Sequence, residues 1–215
     1  MAPAQRIVMS PDGTAQYSFG LGDPHRMSSF DRSLSEVLAV MESLRGMTPA
    51  LRDAADRCLA ALNSGGKLLV CGNGGSAAEA QHLTGELVGR YKESRRPLAA
   101  ITLAADAAVL TCIGNDYSFE EVFSRQVQAL GRPGDVLIAF TTSGRSPDVL
   151  AALRAAREAF VGTVSFLGRD GGPALALSDC ALVVHHKDTA RIQEGHQFLM
   201  HCLMDIIEEG IGRVP

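Results

Sequence analysis

Apolar residues return at helical spacing twice in the first third of the chain: Leu34, Val37, Leu38, Val40, Met41 and Leu44, then, after Pro49, Leu51, Ala54, Ala55, Cys58, Leu59 and Leu62. Each set lines one face of a 3.6-residue helix, so two amphipathic helices are predicted ahead of the first strand. The pattern then changes to short continuous apolar runs. Leu68, Leu69, Val70 and Cys71 form the first, and runs over 98–103, 136–140, 163–167 and 181–185 follow. Their length and bounding turn residues read as buried strands. Helical patterns over 119–130 and 147–160 lie between them, and a last one covers 191–209. This alternation predicts βαβ crossovers, hence an α/β three-layer sandwich with a mainly parallel five-stranded sheet, flavodoxin-like or Rossmann-like. Residues 1–26 carry Pro3, Pro11, Gly13, Gly20, Gly22 and Pro24 without a sustained period. They are expected to form a flexible N-terminal arm before a single domain over 27–215.

Composition narrows the classes. A chain of 215 residues that is 46% hydrophobic and 20% charged suffices for one α/β domain with a full core. The net charge of −4 argues against nucleic-acid binding, and the short Lys92, Arg95, Arg96 cluster reads as a solvated loop. Five scattered cysteines without a C-x-x-C pair fit a reducing, cytoplasmic setting. No apolar run is long enough to span a bilayer, so no membrane partner is expected.

The candidate chemistry sits at strand ends. After the first strand comes Gly72, Asn73, Gly74, Gly75, Ser76, then a helix with His82 and Glu86 four residues apart on one face. Glycines opening a helix present free N–H groups and a positive dipole end, which suits a phosphate. Gly72, Gly74 and Ala77 also satisfy a G-x-G-x-x-A dinucleotide fingerprint, but the acidic partner that motif wants falls in poor register at Asp106. After the 136–140 strand come Thr141, Thr142, Ser143, Gly144, Arg145 and Ser146, with Pro147 starting a helix. Ser146 alone could be a helix cap; four hydroxyls together point to phosphate binding. His82 alone could be a core histidine, whereas Glu86 one turn later makes a functional imidazole–carboxylate pair the better reading. On the last helix Gln193, Glu194, His196 and Gln197 read as surface or interface groups. His201, in the apolar half, needs a partner if buried.

Taken together, Cys71-Gly-Asn-Gly-Gly-Ser76 with His82, Glu86 and Gly89-Arg90-Tyr91, Gly114-Asn-Asp116, Thr142-Ser-Gly144 with Ser146, and Arg191-Ile-Gln-Glu194 with His201 resemble the sugar isomerase (SIS) domain family. Within it they resemble the sedoheptulose 7-phosphate isomerases, over roughly residues 29–210. The resemblance implies substrate contacts at Asn73, Gly74, Gly75, Ser76, Glu86, Asn115, Asp116, Thr141, Thr142, Ser143, Ser146 and Gln193. It implies acid/base roles for Glu86 and His201 in a ketose-to-aldose isomerisation through an enediol. It also implies, as in some members of the family, a zinc ion held by His82, Glu86, Gln193 and His201, and a homotetramer. Arg145 stands where the family usually has Asn. The rival reading is a non-catalytic SIS-domain protein that binds a replication initiator or senses a sugar phosphate; retention of both Glu86 and His201 favours the enzyme.

The implied zinc set raises a geometric difficulty. Gln193 and His201, eight residues apart, would lie about 12 Å apart along a straight helix and roughly 80° out of phase. One ion with ligands near ~2 Å cannot gather both. Either Gln193 precedes the regular helix, or the site is shared between chains; the second is expected.

Overall fold

The computed structural model describes residues 6–9, 15–18 and 28–211. The chain divides into two compact units, Met1–Leu38 and Ala39–Pro215. In the first, β1 (Arg6–Met9) and β2 (Ala15–Ser18) pair antiparallel with Arg6 opposite Ser18. The rest of the proposed 1–26 arm lies outside the described residues. Helix α1 (Ser29–Ser43) runs from the first unit into the second.

The second unit is built on five parallel strands: β3 (Leu68–Gly72), β4 (Ala100–Thr102), β5 (Val136–Thr141), β6 (Gly162–Gly168) and β7 (Cys180–Val184), ordered β4-β3-β5-β6-β7. Strands β3 and β5 are buried at every position, which is why their sequences are continuous apolar runs rather than alternating ones. Alternate residues still face opposite layers. Leu68 and Val70 join a core with α2 (Thr48–Asn63), α3 (Gly75–Val88) and α8 (Thr189–Ile211), whereas Leu69 and Cys71 join the other core. That second core is closed by α4 (Ala107–Asp116), α5 (Ser124–Leu130), α6 (Pro147–Glu158) and α7 (Gly172–Leu177). The three-layer expectation is met, with a sheet that is wholly parallel.

Chain order reverses between β3 and β5, since β4 lies to one side of β3 and β6 and β7 beyond β5. Loops leaving the carboxyl ends of two such strands diverge to opposite faces and open a crevice between them. The glycine turn and the hydroxyl loop leave those two ends.

Two helical expectations need correction. The 119–130 pattern is a 3-10 turn, Phe119–Glu121, followed by the short α5, because Val122 and Phe123 both turn into the core at the break. Helix α4 was not anticipated: its apolar stripe is short, Val109, Leu110 and Ile113, among mostly exposed side chains; its start is fixed by Asp106, whose carboxylate accepts from the N–H of Ala108 (2.9 Å) and Val109 (3.1 Å). Asp106 is therefore a helix cap, which disposes of it as the acidic partner of a dinucleotide fold.

Candidate functional site: an anion pocket and a histidine–carboxylate network

A cavity of about 300 Å³ opens in the crevice between β3 and β5. Asn73, Gly74, Gly75 and Ser76 line one side, Thr141, Thr142 and Ser146 another, and Gln193 a third, so eight of the sequence-predicted residues meet here. Phe140 and Thr189 complete the lining and were not anticipated. Asp188 just before Thr189 was the available signal: its carboxylate accepts from the N–H of Ala190 at 2.8 Å, a local helix-start contact.

Three helix N-termini converge on this cavity, through Gly75 of α3, Ser146 at the cap of α6 and Thr189 of α8. Each brings the positive end of its dipole, about half a positive charge, to a wall that holds no lysine or arginine, an arrangement suited to an anion. Gly74 (φ +56°) makes the turn that aims the α3 terminus. The turn is tied across the crevice by Asn73 Nδ2, which donates to the buried Asp148 Oδ2 of α6 at 2.8 Å. In the hydroxyl loop, the Gly144 N–H donates to Thr141 Oγ1 (3.2 Å) and Thr141 Oγ1 meets Ser146 Oγ (3.3 Å). Ser143 Oγ instead accepts from the Arg145 N–H (3.1 Å), within the loop. Arg145 turns away to Asp170, Nη2 to Oδ2 2.7 Å, and does not line the cavity. Asn115 and Asp116, at the exposed end of α4, do not line it either; Asn115 Nδ2 donates to Asp116 Oδ1 at 2.7 Å.

Helices α3 and α8 run side by side in the same sense, so residues farther along both meet in turn. Gly75 faces Gln193 so closely that a Cβ there would lie 2.4 Å from Gln193 Nε2. One to two turns on, Gln197 Nε2 donates to His82 Nδ1 (2.9 Å) and to His201 Nε2 (3.1 Å). With its Nδ1 accepting, His82 carries its proton on Nε2, which meets Glu86 Oε1 at 3.0 Å. The opposite amide orientation would set a bare imidazole nitrogen against the carboxylate. The connected set Glu86–His82–Gln197–His201 follows, with Tyr91 stacked on His201 at 5.9 Å between ring centroids. Burial, and then the neighbouring His82, lower the His201 pKa, so its imidazole is neutral near pH 7. Gln197 was missed as a member of this set; its position, four residues before His201 and on the face toward α3, was the signal.

Arg95 also departs from expectation. It is buried, not in a solvated loop: its guanidinium donates to the carbonyls of Leu87 (2.9 Å) and Glu86, and Nε lies 3.3 Å from Glu208 Oε1 on α8. It thereby pins the end of α3 that carries Glu86. His196 is likewise core rather than surface, fully buried with Nε2 on the Leu167 carbonyl at 3.0 Å.

The residues proposed for zinc do not close on one ion within a single chain. His82, Glu86 and His201 are neighbours, but no group of three His, Cys, Asp or Glu is assembled for a metal among the described residues. Gln193 lies inside α8 and against Gly75, which removes the alternative in which it precedes the helix. Among the described residues, no helix is long and apolar enough to cross a membrane.

With this geometry, the comparisons with known proteins become specific. The family model for the SIS domain matches residues 32–168, and the chain belongs to that family. A phosphoheptose isomerase from Pelobacter propionicus is 49% identical over 180 residues, covering 84% of this chain and 93% of the relative. One from Helicobacter pylori is 50% identical over 170 residues, 79% of this chain and 88% of the relative. The solved phosphoheptose isomerase of Neisseria gonorrhoeae superposes with a TM-score of 0.79 at 42% identity, over 83% of this chain and 97% of that one. That of Francisella tularensis gives 0.80 at 38%, over 85% and 100%. Within the SIS-domain family the chain is thus an enzyme of the phosphoheptose isomerase group.

Proposed function

We propose that the protein converts sedoheptulose 7-phosphate to D-glycero-D-manno-heptose 7-phosphate. The observation that supports this most is the joining, on the same two helices, of a pocket made for a phosphate and a carboxylate–imidazole network made for proton transfer. The names of the relatives supply the sugar.

In this reading the phosphate occupies the convergence of the α3, α6 and α8 N-termini. Glu86, held by the His82 N–H, takes the proton from the carbon beside the carbonyl. The electron pair forms the enediol as the neutral His201 delivers a proton to the carbonyl oxygen. His201 then recovers a proton from the neighbouring hydroxyl, the aldehyde forms there, and Glu86 returns its proton to the adjacent carbon. One base and one oxygen-facing acid suffice for the balance.

Pocket and network lie on separate turns, Gln193 and His201 about 12 Å apart along α8. We therefore place the phosphate in the pocket of one copy and the Glu86–His201 network of another beside the sugar's carbonyl, within a homo-oligomer, a tetramer in this reading. Asn115 and Asp116, exposed at the end of α4, belong in this reading to such a shared site. Zinc belongs to this reading only in the assembled form, where His82, Glu86 and His201 would have to draw together with a Gln193 from another chain; their imidazoles and carboxylate are donors zinc accepts. Incubation of purified protein with sedoheptulose 7-phosphate, with and without chelator, tests it by aldose formation. Turnover is expected; no turnover by folded, zinc-supplied protein contradicts it.

A further inference from the structure

One turn behind the pocket, two buried titratable groups face each other with unmet hydrogen-bonding needs. Glu79 of α3 is 6% exposed and His196 of α8 is 0% exposed, and Glu79 Oε2 lies 4.0 Å from His196 Nδ1. Neither Glu79 oxygen nor His196 Nδ1 has a hydrogen-bond partner.

The protonation of His196 follows from its other nitrogen. The Leu167 carbonyl only accepts, so Nε2 carries the proton of that 3.0 Å bond. In a neutral imidazole Nδ1 is then a bare acceptor, aimed at a carboxyl group. Two bare acceptors repel; one proton between them makes a hydrogen bond once the gap closes by about 1 Å. The proton could stand on the carboxyl, giving a neutral pair, or on the imidazole, giving an ion pair. The Phe140 and Phe166 rings, with centroids 6.1 and 6.0 Å from that of His196, surround it with apolar matter that disfavours two charges. Burial acts in the same sense on each group alone: it pushes Glu79 up to about 7, against a smaller lowering by the Ser76 hydroxyl, and His196 down to about 4.

Position gives the pair a task. Glu79 follows Gly75 and Ser76 by one turn of α3, and His196 follows Gln193 by one turn of α8. The pair is therefore the rung directly behind the one where Gly75 meets Gln193, at the cavity wall. We propose that Glu79 and His196 share one proton as a neutral hydrogen-bonded pair and act as positioning residues, fixing the separation of the Gly75–Ser76 and Gln193 walls of the anion pocket. That the pocket receives the sugar's phosphate rests on the function proposed above; the pair itself does not.

The test has a spectroscopic arm and a binding arm, both on the full chain. In histidine-labelled protein, ¹⁵N NMR should show His196 neutral, protonated on Nε2, at pH 7 and down to about pH 5. Its Nδ1 signal should shift in Glu79→Ala and stay near the wild-type position in Glu79→Gln, whose amide can donate as the protonated acid does. In kinetics, Glu79→Ala should raise the KM for sedoheptulose 7-phosphate roughly tenfold with kcat within about twofold, while Glu79→Gln stays within about twofold in both. A doubly protonated His196 at pH 7, or Glu79→Gln as damaging to KM as Glu79→Ala, overturns the proposal. If the wild type turns over no sedoheptulose 7-phosphate, the proposed function fails, and the same variant comparison is read from the affinity for inorganic phosphate.

Discussion

At its N-terminal end the seam between α3 and α8 is walled by glycines, hydroxyls and the Gln193 amide; farther along, the same helices present His82, Glu86, Gln197 and His201. In the proposed function the first end meets the phosphate with fixed dipoles, and the second meets the sugar with groups that gain and lose protons. A phosphate keeps its charge throughout isomerisation, so in the proposed function its grip needs no titrating group, and the positive ends of three helix dipoles would provide one that does not vary with pH. Proton transfer from carbon needs the opposite, a carboxylate and an imidazole reachable from outside. His82 is 42% and Glu86 21% exposed in their side chains. The difference teaches that the two ends should respond separately to mutation.

The largest effect is expected at the titrating end. Glu86→Gln keeps the shape and removes the base, so kcat should fall on the order of a thousandfold with KM nearly unchanged, in steady-state kinetics. A loss confined to KM would move Glu86 from chemistry to binding. At the dipole end, Ser146→Asp puts a residue suited to the N-cap position of α6 in place while setting a carboxylate in the anion pocket. KM should rise about a hundredfold with little change in kcat at saturation, as like charges brought together cost several kcal/mol. Gly144→Ala tests the scaffold of that end: φ is +63° and the added Cβ would lie 1.9 Å from the Gly171 carbonyl oxygen, which is backbone and cannot swing aside. Unfolding experiments should show a loss of about 2–4 kcal/mol.

The smallest expected effect concerns the rung between the two ends. Glu79 with its pKa raised to about 7 makes stability fall as pH rises from ~4.5 to ~7, because the unfolded chain has already released that proton. His196, lowered to about 4, makes stability rise with pH from ~4 to ~6.5, because there the unfolded chain binds the extra proton. The two slopes oppose each other between ~4.5 and ~6.5. Denaturant midpoints should therefore be nearly flat in that window for the wild type and should climb with pH in Glu79→Gln, where only the His196 slope remains. A flat profile in the variant would contradict the buried neutral imidazole.

What the sequence made legible was local. A strand buried at every position announces itself as an apolar run, and the turn chemistry at its end, Asn73 to Ser76 or Thr141 to Ser146, lies within a few residues of it. The parallel sheet and the pocket followed from those two facts. What depended on packing between distant helices was less visible. His196 reads from sequence as a surface or interface group although it shares a stripe with Ile192, Leu199 and Leu203, all buried, a spacing visible in the sequence. Glu79 and Gln197 gain their meaning only once α3 lies against α8, and Arg95 only once Glu208 is beside it. Helix α4, mostly exposed, offers only the short stripe Val109, Leu110 and Ile113 and the Asp106 cap as local signals.

The separation of the two ends has its most direct test in mixed oligomers. The structure puts Glu86 and His201 in one network of one chain, so the informative mixture pairs a network variant with a pocket variant. Glu86→Ala and Ser146→Asp, each inactive or nearly so at low substrate, are combined under conditions of confirmed subunit exchange, and aldose formation from sedoheptulose 7-phosphate is followed. If pocket and network belong to different copies, hybrids contain sites with both halves intact and activity returns in part. Activity that stays at the level of the separate variants would contradict the shared site and place pocket and network within one chain.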